Sequence, residues 1–274
     1  MSCCSRAEPA RLRRLPPLLA VGLVAVVVVV PASGAARAST TTASWQPHVN
    51  AARAYAQRRK GVVNFAVRTP TRLWGWHRTD DVPSASVVKA LLLVTYLNDP
   101  RVRNRRLRAA DRRLLDPMIQ RSDNAAASAV LAYVGAPRVR AAARAVGMRR
   151  FELGSYTWGA SRIDASDQTR FFLHIDQRIP RRHRATAMWL LRTVVSYQRW
   201  GIGQLKLPGW KLYFKGGWGA GTGAVDHQVA LLRKGGRRIS VAVLTNGSPS
   251  HTYAQETLRG VFARLLSGLT ARSR

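Results

Sequence analysis

Three short motifs bring together the side chains that acyl transfer through a serine requires. They read Ser-x-x-Lys, Ser-Asp-Asn and Lys-Gly-Gly in chain order, and their chemically active residues are Ser86, Lys89, Ser122, Asn124 and Lys215. A serine hydroxyl attacks a carbonyl only when a nearby group takes its proton, and an amine that has lost its own proton can be that group. The motifs together therefore predict an enzyme that forms an ester on a serine.

The scarcity of lysine makes the two motif lysines informative. The chain has 45 basic residues, but only six of them are lysines and the rest are arginines. Arginine keeps its proton at workable pH, whereas a lysine shielded from water can lose it. Lys89 and Lys215 therefore stand where proton transfer is the expected role.

A predicted helix positions the first motif. Residues 85–97 are apolar on nearly all sides, which is typical of a helix buried in the centre of a domain. Because residues three positions apart lie on one helix face, Ser86 and Lys89 are expected to point to the same side. The preceding loop at 80–84 contains proline and serine, which are helix-start signals.

The order of the predicted elements indicates an α+β fold. Strands are predicted at 61–68, 71–77, 212–217, 225–232 and 238–245. Helices are predicted at 46–59, 85–97, 105–120, 124–134, 137–146, 165–175, 183–198 and 253–266. We expect the ends of the chain, 45–82 and 205–274, to build one antiparallel sheet lobe flanked by helices, and 83–204 to form an inserted all-helical lobe. The motifs then fall where the lobes meet, and the long loop at 147–163 is expected to be functional or disordered.

The first 38 residues have the pattern of an export signal. A basic start leads into the apolar run 18–30, which is short for a membrane span. Pro31 ends the run, and the small-x-small sequence at 36–38 is typical of a cleavage site. We expect a signal peptide at 1–38, a linker at 39–44 and a secreted or cell-envelope protein. An uncleaved membrane anchor is the alternative.

Composition limits the chemistry open to the rest of the chain. Both cysteines, Cys3 and Cys4, lie in the predicted signal, so we expect no disulfide and no thiolate nucleophile. The histidines lack metal-ligand spacing, and we expect neither a metal nor a cofactor. The formal net charge of +32 favours an anionic cell-envelope surface. No nucleic-acid motif accompanies this charge, so we expect no nucleic-acid partner and interpret the arginine run at 101–113 as a solvated helix face.

The three motifs, in this order, resemble those of the penicillin-recognising serine hydrolases, in particular the class A β-lactamases. The resemblance covers residues 45–266 and implies a β-lactamase/transpeptidase-like fold. It implies that Ser86 is the nucleophile and that Lys89 helps to deprotonate it. It also implies that Ser122 passes a proton to the leaving nitrogen. Lys215 would lower the energetic cost of charge near Ser122 and near the substrate carboxylate.

The resemblance further implies how a substrate is held. Asn124, Gly216 and Gly217 would contact it, and the backbone N–H groups of Ser86 and Trp218 would form the oxyanion hole. The start of a helix at Ser86 would add a favourable dipole for the developing negative charge. The implied substrate is a small-molecule β-lactam or a peptidoglycan peptide, and we expect a monomer.

Two departures from the family pattern bear on the reaction. The third motif reads Lys-Gly-Gly, so the hydroxyl that usually follows the lysine is missing, and Thr222 is a candidate substitute. Class A enzymes release the acyl group with a glutamate in an E-x-x-L-N pattern, which this chain lacks. After the predicted signal the only glutamates are Glu152 and Glu256. Glu152 lies in the right interval and is the possible deacylation base, although its sequence context does not match.

The sequence leaves three hypotheses for function. The leading one is an exported serine hydrolase of the class A β-lactamase type, acylated at Ser86 and slow to release the acyl group. The alternatives are a D-alanyl-D-alanine carboxypeptidase-like peptidoglycan enzyme and a catalytically idle cell-wall-binding protein. Asp226 and His227 lie near the expected cleft, where they either touch the substrate or simply begin a strand.

Overall fold

The computed structural model describes residues 45–219 and 224–270. The predicted signal peptide at 1–38, the linker at 39–44 and Thr222 lie outside the described residues. Within those residues no helix combines the length and the apolar character needed to cross a membrane.

One five-stranded antiparallel sheet joins the two ends of the described chain. The strands are β1 (Val62–Arg68), β2 (Leu73–Trp76), β3 (Val82–Pro83), β4 (Arg162–Ile163), β5 (Lys211–Gly219), β6 (Val225–Lys234) and β7 (Arg237–Asn246). The order in the large sheet is β2-β1-β7-β6-β5, so the first strand pairs with the last. This arrangement leaves β5, which carries the third motif, at an edge of the sheet. The five predicted sheet strands are confirmed.

The helices fall into two groups around this sheet. They are α1 (Val49–Ala56), α2 (Lys89–Asn98), α3 (Ala109–Gln120), α4 (Asn124–Val134), α5 (Ala136–Ala145), α6 (Ala165–Leu173), α7 (Arg181–Arg192) and α8 (His251–Leu265). The first and last of them, α1 and α8, contact each other and come from the segments that build the sheet. Helices α2 to α7 form the segment between β2 and β5. The predicted α+β fold class is confirmed.

Strand periodicity divides the core between the two faces of the sheet. Alternate residues of a strand point to opposite faces. On β6, Val229 packs in a cluster with the buried residues of α2, while Ala230 packs in a second cluster with Leu258 and Phe262 of α8. Both faces are therefore covered, which explains why these strands are apolar runs rather than alternating ones.

The boundaries of several predicted helices are wrong, and two of these helices show a physical cause. The helix predicted at 105–120 begins at Ala109 instead. The Asp111 carboxylate accepts a hydrogen bond from the Arg108 N–H at 2.5 Å, and this contact makes Arg108 the residue that caps the start of the helix. The arginine run at 101–113 is therefore only partly helical. The helix predicted at 183–198 spans Arg181–Arg192, and the Val195 N–H beyond it donates to the backbone of α3.

A two-residue strand pair was not visible in the sequence pattern. β3 pairs with β4 in the registers Val82↔Ile163 and Pro83↔Arg162. Elements of two residues are too short to show a period of two. The pair fastens the segment just before Ser86 to the end of the long loop.

Asp176 links the helical segment to the sheet, and its removal should be costly. Its buried carboxylate accepts hydrogen bonds from Arg233 of β6 and Arg238 of β7. Burial alone would raise the Asp176 pKa, but the hydrogen bond and charge of Arg238 lower it overall. Asp176→Ala leaves these arginines without their partner, so we expect the free energy of unfolding to fall by about 3 kcal/mol in denaturant titrations.

A matched carboxylate and a pH series test the role of Asp176. Glu256→Ala removes a carboxylate that is 60% exposed and 3.7 Å from Arg59, and should cost less than about 1 kcal/mol. Because the Asp176 pKa is lowered, its contribution is present above the unfolded value of 3.8 and is lost as the pH falls through the folded value. Equal losses for the two variants at pH 7 would contradict this assignment.

Candidate active site

Ser86 lies in a strained turn that opens the buried helix. The 3₁₀ turn Ala85–Val88 leads directly into α2, and Ser86 is 7% exposed. Ala85 has a φ of +43°, a left-handed conformation that is costly for a residue with a Cβ. Such strain persists only where the surroundings fix the backbone. One fixing contact is the hydrogen bond from the Ser84 N–H to the Ser161 carbonyl at 2.6 Å.

His227 fixes the same turn from the sheet side. Its Nε2 lies 2.8 Å from the Pro83 carbonyl oxygen, and the Thr245 N–H donates to its Nδ1 at 3.1 Å. Nδ1 also lies 2.8 Å from the Asp226 carbonyl oxygen, but the Thr245 N–H needs an acceptor there, so we assign the proton of the neutral ring to Nε2. Complete burial lowers the pKa of His227 to about 4, so the ring stays neutral at pH 7. The ring therefore ties β6 to the chain three residues before Ser86.

Gly217 allows β5 to approach the start of the Ser86 helix. A Cβ placed on Gly217 would lie 2.8 Å from the Ser86 nitrogen and 2.9 Å from the Val87 nitrogen. Real Cβ atoms do not approach backbone atoms so closely, so only glycine fits without moving one of the two elements. The third motif and the first motif are therefore in backbone contact.

Lys89 is buried and saturated with oxygen partners. Its Nζ donates to the Ser122 carbonyl, to Asn124 Oδ1 at 2.7 Å and to Ser122 Oγ at 3.2 Å. An ammonium group has three protons to donate, so these three oxygens match it fully. Among the described site residues, no hydrogen bond joins Lys89 to the Ser86 hydroxyl, which lies one turn earlier.

Lys215 reaches the same serine from the sheet. Its Nζ donates to Ser122 Oγ at 3.0 Å and to the Gly216 carbonyl at 2.7 Å. Ser122 itself has a φ of +59°, a second left-handed residue at this site. The three motifs thus meet at one hydroxyl, which lies between an amine from α2 and an amine from β5.

Burial makes both amines weak bases. Desolvation lowers the pKa of Lys89 from 10.5 to about 7, against an opposing effect of the Asp123 carboxylate. Complete burial, followed by the charge of Lys89, also lowers the pKa of Lys215 well below its ordinary value. Two positive charges on one hydroxyl would repel each other, so the two lysines titrate as a coupled pair. The lowered pKa of each lysine favours the neutral amine at this hydroxyl.

An aromatic ring covers Lys89 on the side of the long loop. The Lys89 Nζ lies 4.6 Å from the ring centroid of Trp158, whose indole N–H donates to Ser128 Oγ at 3.1 Å. Within the described residues, no carboxylate forms an ion pair with Lys89. Asp123 instead caps α4 by accepting a hydrogen bond from the Ala126 N–H. The Lys89 amine is therefore surrounded by an aromatic ring and by amide, carbonyl and hydroxyl oxygens, and not by a paired carboxylate.

The possible deacylation base lies at the surface. Glu152 is exposed, and its backbone forms an isolated β-bridge with Arg162. Glu256 is also exposed and lies near Arg59. Asp164 caps α6 by accepting a hydrogen bond from the Asp167 N–H at 2.8 Å, as expected for a helix-start residue. Across the described ranges, no cluster of three or more potential metal ligands is present.

Sequence reasoning missed two residues of the site region. Trp158 carried no signal beyond being an aromatic residue in the long loop. His251 begins α8, and its Nδ1 lies 2.5 Å from Asp226 Oδ1, while its ring packs near those of Trp200 and Trp218. Burial raises the pKa of Asp226 to about 6, although the nearby His251 opposes that rise. Nothing in the local pattern before α8 indicated this contact.

Comparisons with known proteins identify the family of this chain. The model of a family described as the beta-lactamase enzyme family matches residues 104–268, which is more than half of the 274 residues. The chain belongs to the beta-lactamase enzyme family. The matched region includes the second and third motifs but begins after Ser86 and Lys89. None of the curated proteins matches the chain in sequence.

Solved structures of this family share the fold. The β-lactamase from Sphaerobacter thermophilus DSM 20745 superposes with a TM-score of 0.69 at 18% identity, covering 80% of this chain and 97% of that one. An ancestral class A β-lactamase gives 0.66 at 18% identity over 81% and 99% of the two chains. A β-lactamase from Xanthomonas campestris pv. campestris gives 0.66 at 14% identity over 80% and 96%. At such identities the likeness shows the fold, and the predicted resemblance is confirmed at that level.

The lowered pKa of Lys89 can be measured directly. We expect its side-chain amine to titrate near pH 7 in nitrogen NMR of labelled protein, with the signal assigned by its loss in Lys89→Met. An exposed lysine has a pKa of about 10.4. The folded chain loses this proton at a lower pH than the unfolded chain does. The free energy of unfolding should therefore rise as the pH increases from 7 to 10.5. A Lys89 amine that stays protonated above pH 9 would contradict the burial argument.

Proposed function

We propose that this protein is an exported serine hydrolase of the class A β-lactamase type. In this proposal β-lactam-like amides acylate Ser86, and the acyl group is released slowly. The observation that carries the proposal is the meeting of Lys89 and Lys215 at the Ser122 hydroxyl. Lys89 itself follows Ser86 by three residues in the same helical segment. Membership of the beta-lactamase enzyme family supports it.

The lysine network supplies a route for the proton in the acylation step. Ser86 Oγ attacks the carbonyl carbon of the amide, and its proton passes to the neutral amine of Lys89. The proton then moves through Ser122 Oγ to the nitrogen that leaves when the C–N bond breaks. Two distances support the part of this path that runs through Ser122, 3.2 Å from Ser122 Oγ to Lys89 and 3.0 Å to Lys215. Lys215 keeps the hydroxyl oriented, and its protonated form offsets negative charge near the substrate.

Backbone N–H groups receive the developing charge on the carbonyl oxygen. We assign this oxyanion hole to the N–H groups of Ser86 and Trp218. The contact between Gly217 and the Ser86 backbone supports the assignment, because Trp218 is the next residue along β5. We assign Asn124, Gly216 and Gly217 to substrate contacts. Loss of one donor in such a hole costs about a hundredfold in rate.

Slow release follows from the groups around Lys89. Hydrolysis of the acyl ester needs a base that activates water, and a carboxylate beside the amine is the usual solution in class A enzymes. Here the Trp158 ring covers the Lys89 amine, and Glu152 lies exposed at the surface. We therefore propose that Glu152 contributes little to deacylation and that the acyl-enzyme is long-lived.

Intact-mass spectrometry after exposure to benzylpenicillin tests this function. We expect one adduct per chain with a lifetime of minutes or longer, none in Ser86→Ala, and an unchanged lifetime in Glu152→Gln. Rapid return to the unmodified mass would refute slow release and favour an efficient β-lactamase. Absence of any adduct would refute acylation and favour the catalytically idle wall-binding protein. Release of D-alanine from a wall pentapeptide would favour the carboxypeptidase alternative.

Gly217→Ala tests the assignment of the oxyanion hole. The added methyl group must push β5 away from the Ser86 backbone, so we expect penicillin acylation to slow by about a hundredfold or more. Gly236→Ala is the matched control, because its Cβ meets open space in the turn between β6 and β7. Acylation rates come from fluorescent-penicillin labelling, with circular dichroism as a check on folding. Equal rates in the two variants would argue against the assigned hole.

A further inference from the structure

We propose that a cleft between α3 and α7 binds phosphate groups of an anionic polymer. The cleft has a volume of about 510 Å³, and its lining residues are Arg106, Leu107, Arg112, Arg182, His183 and Thr186. None of the motif residues is among them, so this site is separate from the proposed acylation site. The inference therefore does not rest on the proposed function.

The surroundings of this cleft carry a large excess of positive charge. Residues 101–120 and 181–192 contain eleven arginines and two aspartates, Asp111 and Asp116. Asp111 already accepts from Arg105 at 2.6 Å and 2.9 Å, and Asp116 accepts from Arg112 at 2.9 Å. Within the described part of the chain, neither Arg106 nor Arg182 forms an ion pair. Charge of one sign concentrated in a cleft attracts anions strongly.

The first turn of α7 adds to this imbalance. It begins with Arg181, Arg182, His183 and Arg184, contains no acidic residue, and has no side-chain cap from Pro180. The N-terminal end of a helix carries a partial positive charge, so cations there are unfavourable and anions are favourable. The negative charge of a bound phosphate would offset both the partial positive charge at the start of α7 and the positive charge of the arginines in the cleft.

Contacts with the neighbouring loop hold the cleft in shape. The Arg182 guanidinium donates to the Asn104 carbonyl, and the buried His183 ring lies 3.2 Å from the Val102 carbonyl. Asp116 forms an ion pair with Arg112, whose guanidinium carbon lies 5.4 Å from the centroid of the Trp189 ring. Guanidinium groups held in place match the geometry of phosphate oxygens. A chain of linked phosphates, rather than one ion, fits the several donors along the cleft.

Calorimetric titration with inorganic tripolyphosphate at 150 mM salt tests the inference. We expect binding to the full chain and at least a tenfold weaker affinity in the double variant Arg106→Gln/Arg182→Gln. Arg72→Gln/Arg140→Gln removes the same charge from exposed positions outside the cleft and should change the affinity less than twofold. If the double variant does not fold, each single cleft variant should weaken binding about threefold. Equal affinities in the cleft and control variants, or no binding at this salt, would overturn the proposal.

A second arm distinguishes the sources of phosphate. Binding to phosphatidylglycerol vesicles that tripolyphosphate displaces, and that the cleft variant loses, would identify a lipid headgroup as one ligand of the same site. Vesicle binding that survives in the cleft variant would show a diffuse charge effect and overturn the assigned site. Penicillin labelling of Ser86 should be unchanged in the cleft variant, which separates a failure of this inference from a failure of the proposed function.

Discussion

Two buried amines that meet at one hydroxyl are the interaction on which the site depends. Ser122 Oγ lies 3.2 Å from the Lys89 amine and 3.0 Å from the Lys215 amine. Burying an unpaired ammonium group is expensive, so the protein lowers the pKa of both lysines instead of neutralising them with carboxylates. The same desolvation that costs stability supplies a base near neutral pH. Within the described residues neither lysine forms an ion pair with a carboxylate, and this is part of the chemistry of the site.

Three elements position Lys89, Ser122 and Lys215 relative to one another, and a particular contact or backbone feature fixes each element. α2 begins in a turn strained at Ala85, which the neutral His227 ring holds through the Pro83 carbonyl. The loop before α4 turns through the left-handed Ser122, whose backbone carbonyl accepts from Lys89. β5 comes close enough only because Gly217 has no side chain. Strain of this kind concentrates at functional sites because the surrounding packing outweighs it.

The sequence predicted the elements better than it predicted their contacts. The strand set, the α4 range and the grouping of the three motifs followed from periodicity and from motif order. Trp158 over Lys89 and His251 beside Asp226 could not be predicted, because they join segments that are distant in the chain and carry no local period. The start of α3 at Ala109 depended on a side-chain cap that overrides the helical propensity of the arginine run.

A crystal structure of the protein after reaction with benzylpenicillin would decide whether this site works as proposed. We expect continuous density from Ser86 Oγ to the opened acyl carbonyl, with the carbonyl oxygen accepting from the N–H groups of Ser86 and Trp218. We also expect both lysine amines to remain within hydrogen-bond distance of Ser122. An unattached ligand, an adduct on another residue, or a carbonyl oxygen pointing away from β5 would rule out the proposed acylation at Ser86.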